Sequence, residues 1–413
     1  MTLAPEKGGH QLCWEDHLRQ QSLLLCCTCK LVSVSNYRHF AYICTVNMKR
    51  SLLAFTLFFL GVASAAIAQE IASISGQVSP VSPEITPEGV TFRFPGEYVT
   101  EVWLDASCLD APLLMGKHDG IWEATVTGVQ PDLYTYTFIA DGVRTHDPSN
   151  PVVARDGGDR FSMFEIEGER TRNYRECSRH GSIDCVWYDS NIFGGKRRMT
   201  VYTPYGYGSN TTQRYPVLYL LPGETGDDES WLSMGKAAEV LDNLIREGRA
   251  VPMIVVMPDA PDFRDKSASA SFETSLVREI IPFVESRYRA VAKKSERGIS
   301  GPSYAGTFVL DVVRHHTDMF DFVCPLSFVV ENPESLKSDF LRIKNSKVKL
   351  FWMGCGNADV ISQECCGTVH DMLNEIHLFH TYYKNIGGHD WASWRLYLNN
   401  FLPMIFRYYE YQR

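Results

Sequence analysis

The chain has 413 residues, of which 45% are hydrophobic and 22% charged, and a formal net charge of −9. That length holds two domains and a large buried core, and the composition excludes a disordered or fibrous chain. The acidic balance is a poor match for nucleic acid or anionic membrane surfaces and leaves neutral substrates open.

Near the N-terminus, Met48-Lys49-Arg50 is a short basic region and Leu52 to Val62 an apolar run too short to span a membrane. Ala66-Ile67-Ala68 then supplies a small-x-small cleavage site before Gln69. Met48–Ala68 therefore reads as a secretory signal peptide, which makes the protein periplasmic or secreted. Because the signal starts at residue 48, residues 1–47 read as a mis-assigned upstream extension. The alternative, a membrane anchor with a cytoplasmic tail, conflicts with the short apolar run, and no membrane span is expected in the mature chain. Five of the twelve cysteines fall in the leader. The seven others are an odd number, so at least one thiol stays free, and Cys177 with Cys185 is the nearest couple for a disulfide. No Cys/His grouping has zinc-site spacing, so neither a metal nor a cofactor is expected.

Residues 72–165 carry short alternating segments: Val90-Thr91-Phe92-Arg93-Phe94, Glu101-Val102-Trp103-Leu104, Ile121 to Val126, and Leu133 to Ile139. Asp141-Gly142 is a hairpin turn signal. Alternation of period two at this spacing predicts a small antiparallel sandwich. Trp103 and Trp122 read as core residues rather than as sugar-stacking platforms. The polar stretch Glu165–Asn173 reads as a linker.

From 174 to 413, strand and helix patterns alternate, which predicts a parallel sheet with helices on both faces. Tyr215 to Leu221 and Met253 to Pro258 are continuous apolar runs, as buried parallel strands require. Met234 to Glu247 and Phe272 to Tyr288 have helical periodicity. Val348 to Met353 is a late strand, and Trp391 to Tyr409 reads as the closing helix, with Trp394 on its core side.

Gly301-Pro302-Ser303-Tyr304-Ala305 fits a nucleophile elbow, a sharp strand-to-helix turn with a serine at its apex. A serine there sits in strained backbone, so the residues two before and two after it must be small, and Gly301 and Ala305 are. The rival frame around Ser300 puts Pro302 at the second small position and fits poorly. The helix after Ser303 aims its first N–H groups at the reaction centre, so the Tyr304 amide is an oxyanion donor. The serine needs an acid and a histidine later in the chain. Asp359 lies just past a strand end, and His389 follows Gly387-Gly388. Asp371 and Asp390 are the alternative acids; Asp390 adjoins His389 and is poorly directed at its ring.

Residues 180–410 resemble the esterase-D-like polysaccharide esterases, which include the feruloyl and acetylxylan esterases of carbohydrate esterase family 1. The likeness lies in Arg198–Tyr207, Tyr219–Trp231, Gly248–Pro258, Arg297–Leu310, Gly354–Asp359 and Gly387–Phe406, above all in Gly388-His389-Asp390-Trp391. Tyr134-Thr135-Tyr136 through Asp147-Pro148-Ser149-Asn150 resembles the immunoglobulin-like (early-set, CBM48-like) module that precedes many such esterases. The resemblance implies an α/β-hydrolase domain behind an all-β sandwich, and an ester decoration of plant cell-wall polysaccharide, feruloyl or acetyl on xylan, as substrate. It also implies a second oxyanion donor in the loop after the Leu220-Leu221 strand. Family members usually carry His-Gly there; this chain has Pro222-Gly223, which leaves the Glu224 amide as the donor and brings an acidic side chain nearby. Trp231 and Trp391 are the aromatic candidates for binding substrate. Two other functions compete: a carbohydrate-binding protein with a degenerate hydrolase domain, and another esterase or acyltransferase of the superfamily.

Overall fold

A computed structural model describes residues 79–224 and 226–407. The upstream extension 1–47 and the signal segment 48–68 lie outside the described residues. Among the described residues, no helix is long and apolar enough to cross a membrane.

Two antiparallel sheets occupy residues 84–165. One orders its strands Glu84–Thr86, Gly89–Pro95, Ile121–Val126, Gly116–His118. The other runs Leu113–Leu114, Val102–Ala106, Leu133–Ala140, Asp159–Glu165, Val153–Asp156. Their inward residues make one core, with Val90, Phe92, Trp122 and Val126 from the first sheet and Val102, Leu104, Tyr136 and Phe138 from the second. The alternation along each strand produces this division, because side chains at i and i+2 share a face. Asp141 and Gly142 both take positive φ at the hairpin after Leu133–Ala140, as that dipeptide predicts. Trp122 is buried and Trp103 half-buried.

A third sheet has eight strands: β1 (Ser182–Ser190), β2 (Gly195–Thr203), β3 (Val217–Leu220), β4 (Ile254–Pro258), β5 (Arg297–Pro302), β6 (Phe322–Leu326), β7 (Leu350–Gly356) and β8 (Thr381–Asn385). Their spatial order is β1-β2-β4-β3-β5-β6-β7-β8. The first two form an antiparallel edge hairpin and all from β3 onward run parallel. The central strands β3 and β4 are buried at every residue, because helices cover both faces.

The main helices are α1 (Ala237–Arg246), α2 (Lys266–Ser275), α3 (Tyr304–His315), α4 (Lys337–Asn345), α5 (Gln363–Glu375) and α6 (Trp391–Phe401). In β3, Val217 and Tyr219 face the core lined by α2, α3, α4 and α5. Leu218 and Leu220 face the opposite core, lined by α1 and α6. That second core also takes Leu133, Ala154 and Met163 from the sandwich and Tyr174 from the connection. The sandwich thus packs into the α/β domain on the α1–α6 face.

Several expectations need correcting. The stretch 165–173 is no free linker. Glu169–Tyr174 forms a 3-10 turn with Thr171, Asn173 and Tyr174 buried. The helix expected from Phe272 begins earlier, at Lys266, where Asp265 caps it by accepting from the amides of Ser267 and Ala268. It then continues through a π-helical turn, Leu276–Ile280, to Ile281–Arg287. The closing helix stops at Phe401, followed by turns that keep Leu402 and Ile405 buried. Cys177 and Cys185 are both free thiols; the Cys177 Sγ instead donates to the Arg179 carbonyl.

Candidate active site

Ser303 stands between β5 and α3 with φ 58° and ψ −131°. A side-chain-bearing residue rarely holds that conformation, so the surroundings must fix it. They do so at close quarters. The Ser303 amide donates to the Leu326 carbonyl of β6 at 2.9 Å, and the amides of Gly306 and Thr307 donate back to the Ser303 carbonyl. A Cβ at Gly301 would lie 2.9 Å from that of Ala305 and 3.1 Å from that of Leu221. Small residues on either side of the serine are therefore a packing requirement of the turn. Tyr304 is the first residue of α3, so its amide has no partner within the helix and points out of its N-terminus.

Asp359 follows β7 and is fully buried. Its Oδ1 accepts from the amides of Ile361 and Ser362, and both carboxylate oxygens lie 3.1 Å from His389 Nδ1. Burial alone pushes this carboxyl's pKa up. The His389 contact and the hydrogen bonds around it outweigh burial and hold it below the usual carboxylate value. It is thus an anion at neutral pH and an acceptor for the histidine. Asp390 is engaged elsewhere and caps α6 by accepting from the Ser393 amide at 2.7 Å. Asp371 lies within α5, away from a strand end.

The proton on His389 can be placed. Asp359 offers only acceptors to Nδ1. Ser362 Oγ sits 3.2 Å from the same nitrogen and donates its own hydrogen to the Ser327 carbonyl at 2.7 Å. Every group facing Nδ1 accepts, so Nδ1 carries the N–H and Nε2 is left with a free lone pair. No hydrogen bond joins Nε2 to the Ser303 hydroxyl in this arrangement; such bonds are commonly long until substrate closes around them. Gly223 and Trp394 link the surroundings of the two residues. The His389 ring meets the Trp394 ring edge-on, with centroids 5.4 Å apart. A Cβ at Gly223 would lie 3.8 Å from Pro302 Cγ and 4.0 Å from the Trp394 ring. The loop carrying Glu224 therefore runs between the elbow and the histidine's packing partner.

The Glu224 carboxylate is drawn aside by Arg264, whose Nη1 lies 2.5 Å from Glu224 Oε1 and whose Nη2 pairs with Asp262. The acidic side chain at this loop is thus paired with a guanidinium that it shares with Asp262.

The aromatic candidates divide. Trp231 is 1% exposed and gives its N–H to the Leu221 carbonyl at 2.7 Å, so it is a core residue and does not touch substrate. Its ring belongs to the α1–α6 core rather than to a substrate surface. Trp391 is half-buried, packs against both Trp231 and Trp394, and donates its N–H to Asp156 of the sandwich at 2.8 Å. Sequence reasoning missed Ser362, Arg264 and Asp156. Ser362 alone had a local signal: Asp359 sits three residues ahead of it at a helix start, the spacing at which an aspartate side chain accepts backbone amides.

Serine, acid and histidine at the ends of β5, β7 and β8, in that order along the chain, is the layout of an α/β-hydrolase. Residues 190–359 match the esterase family, described as putative esterase. An endo-1,4-beta-xylanase/feruloyl esterase of Xylanibacter ruminicola is 32% identical over 260 residues, which is 60% of this chain and 35% of the relative. The chain spans only about a third of that relative's length. A CE1 ferulic acid esterase of Anaeromyces mucronatus shares the fold, with a TM-score of 0.50 and 22% identity over 58% of this chain and 96% of the other. The enterobactin esterase of Shigella flexneri aligns with a TM-score of 0.62 and 18% identity over 78% of this chain and 94% of the other. Residues 190–359 are thus similar to the esterase family, and the chain is similar over part of its length to a xylanase/feruloyl esterase.

Proposed function

We propose that this protein is an exported serine carboxylic-ester hydrolase that removes feruloyl or acetyl groups from plant cell-wall polysaccharide of the xylan type. The reading rests on two observations, the His389 imidazole held by both oxygens of the buried Asp359 and the strained serine turn after β5. Ser303 attacks the acyl carbonyl and passes its proton to His389 Nε2. The imidazolium, stabilised by Asp359, returns that proton to the departing alcohol. Water then hydrolyses the acyl-enzyme. The Tyr304 amide, with the Glu224 amide as the second donor, receives the oxyanion. The kinship with a xylanase/feruloyl esterase supports the substrate class. The two N-terminal sheets fit the immunoglobulin-like module, and Met48–Ala68 the export signal.

The test is a hydrolysis panel of acetylated and feruloylated xylo-oligosaccharides with wild type and Ser303→Ala. Wild-type turnover that falls by about 10⁴-fold or more in the variant is expected. Full turnover by Ser303→Ala defeats the mechanism. Xylan affinity without ester turnover in either protein points to a binding protein. A second reading, an esterase for siderophore-type esters, draws on the enterobactin esterase alignment, which covers 78% of this chain. Preference for a catecholate ester over every xylan ester in the same panel selects it.

A further inference from the structure

We propose that Asp156, in the sandwich, is a positioning residue for His389 that acts through Trp391. The inference rests on the reading of His389 as the catalytic base.

His389 sits in a loop with two glycines immediately before it. On that side the Ala358 amide pins the loop by donating to the Gly387 carbonyl at 3.1 Å. On the other side the loop enters α6, whose first residue is Trp391. The imidazole leans on Trp394. Trp394 has no anchor of its own: its ring N–H is buried without a hydrogen-bond partner. Its place is set by packing, and Trp391 packs against it with ring centroids 5.1 Å apart at 76°. Trp391 is anchored, because its N–H bonds Asp156 Oδ2 at 2.8 Å. A hydrogen bond from the sandwich, together with the packing of Trp391 on Trp231, therefore fixes the edge-to-face tryptophan pair that supports the histidine.

Asp156 is itself held firmly. It ends the strand Val153–Asp156, beside Ala154, which is buried in the α1–α6 core. The neighbouring Arg155 donates its amide to Ser233 Oγ at 2.6 Å and pairs with Asp227. Further along α6, Arg395 donates to the Leu133 carbonyl of the sandwich at 2.7 Å, and Arg170 reaches the Ala392 carbonyl. The sandwich thus grips α6 at several points, and the one nearest His389 is Asp156. Burial pushes the Asp156 carboxyl up despite the Trp391 and Ser230 hydrogen bonds that pull it down.

The experiment uses the full chain and a small aryl acetate, with Asp156→Ala, Asp156→Asn, Trp391→Phe and the double variant Asp156→Ala/Trp391→Phe. Asp156→Ala is expected to lower kcat about tenfold with KM changed less than about twofold, since a small displacement of a catalytic group is costly. Asp156→Asn still accepts the indole N–H and restores kcat to within about threefold of wild type. The double variant falls no further than the single ones, because both remove the same bond. Wild-type kcat in Asp156→Ala, no rescue by Asp156→Asn, or multiplicative losses in the double variant each overturn the proposal. If Asp156→Ala does not fold, the kcat of Trp391→Phe decides: a tenfold loss supports the proposal and wild-type kcat overturns it. Ser303→Ala runs alongside: its retained turnover sinks the triad reading and this proposal with it, whereas an inactive Ser303→Ala beside wild-type kcat in Asp156→Ala sinks this proposal alone.

Discussion

Ser362 Oγ lies 3.2 Å from His389 Nδ1 while donating its own hydrogen to the Ser327 carbonyl. One hydroxyl therefore ties the histidine to Ser327, the residue after Leu326, whose carbonyl holds the Ser303 amide. Ser362→Ala removes an acceptor from Nδ1 and leaves a buried carbonyl unpaired, a loss of about 1–3 kcal/mol. The expected result is a fall in kcat of roughly 10- to 100-fold with little change in KM, read from steady-state kinetics on an aryl ester. Unchanged kcat would show that Asp359 alone orients the ring.

Asp359→Asn keeps the shape of the acid but offers an N–H to Nδ1 and favours the wrong tautomer. A loss of about 10⁴-fold in kcat is expected, as in serine hydrolases generally. The pH dependence follows from the carboxyl's lowered pKa. A group with a depressed folded value contributes stability that is complete above its unfolded value and disappears as pH falls through the folded one. Thermal melts of wild type should drop between the ordinary carboxylate range and more acid pH more steeply than those of Asp359→Asn. Parallel curves would contradict the assignment.

The Glu224–Arg264 pair yields a sign test. Arg264→Ala leaves a carboxylate uncompensated near the oxyanion, so kcat should fall roughly 3- to 10-fold, a modest effect because the guanidinium is half exposed and screened. Adding Glu224→Gln should recover most of it. If the double variant is as slow as Arg264→Ala, the carboxylate is not what harms catalysis.

The elbow makes a packing prediction. Gly301→Val forces atoms into the space beside Ala305 and Leu221, and should cost about 1–3 kcal/mol of stability together with most activity. Ala305→Gly relieves no clash and removes a helix former, so it should keep activity and lose about 0.5–1 kcal/mol in denaturant melts. Equal effects of the two substitutions would refute the crowding argument.

Much of this site was legible in the chain because its parts are local. The elbow needs small residues at fixed offsets from Ser303, and parallel strands announce themselves as apolar runs, so Asp359 could be placed past a strand end and His389 in the loop before the closing helix. Distant partners were not legible. Nothing near Glu224 points to Arg264, forty residues away, and nothing near Trp391 points to Asp156, because such pairs exist only after the sheet has formed. Trp231 misled for a related reason. A tryptophan beside a catalytic loop reads the same whether its ring faces a pocket or the core, and the Leu221 carbonyl that accepts its N–H decides the matter.

The shared core on the α1–α6 face bears on how this enzyme can be cut and recombined. Leu133, Ala154 and Met163 belong to the sandwich by sequence and to the hydrolase by burial. A fragment begun at Arg175 would take those side chains, and Tyr174, out of the core they share with α1 and α6. Grafting the C-terminal part onto a foreign carrier is then less like exchanging beads on a string than like removing one wall of a room, and a soluble chimera would need those apolar faces redesigned first.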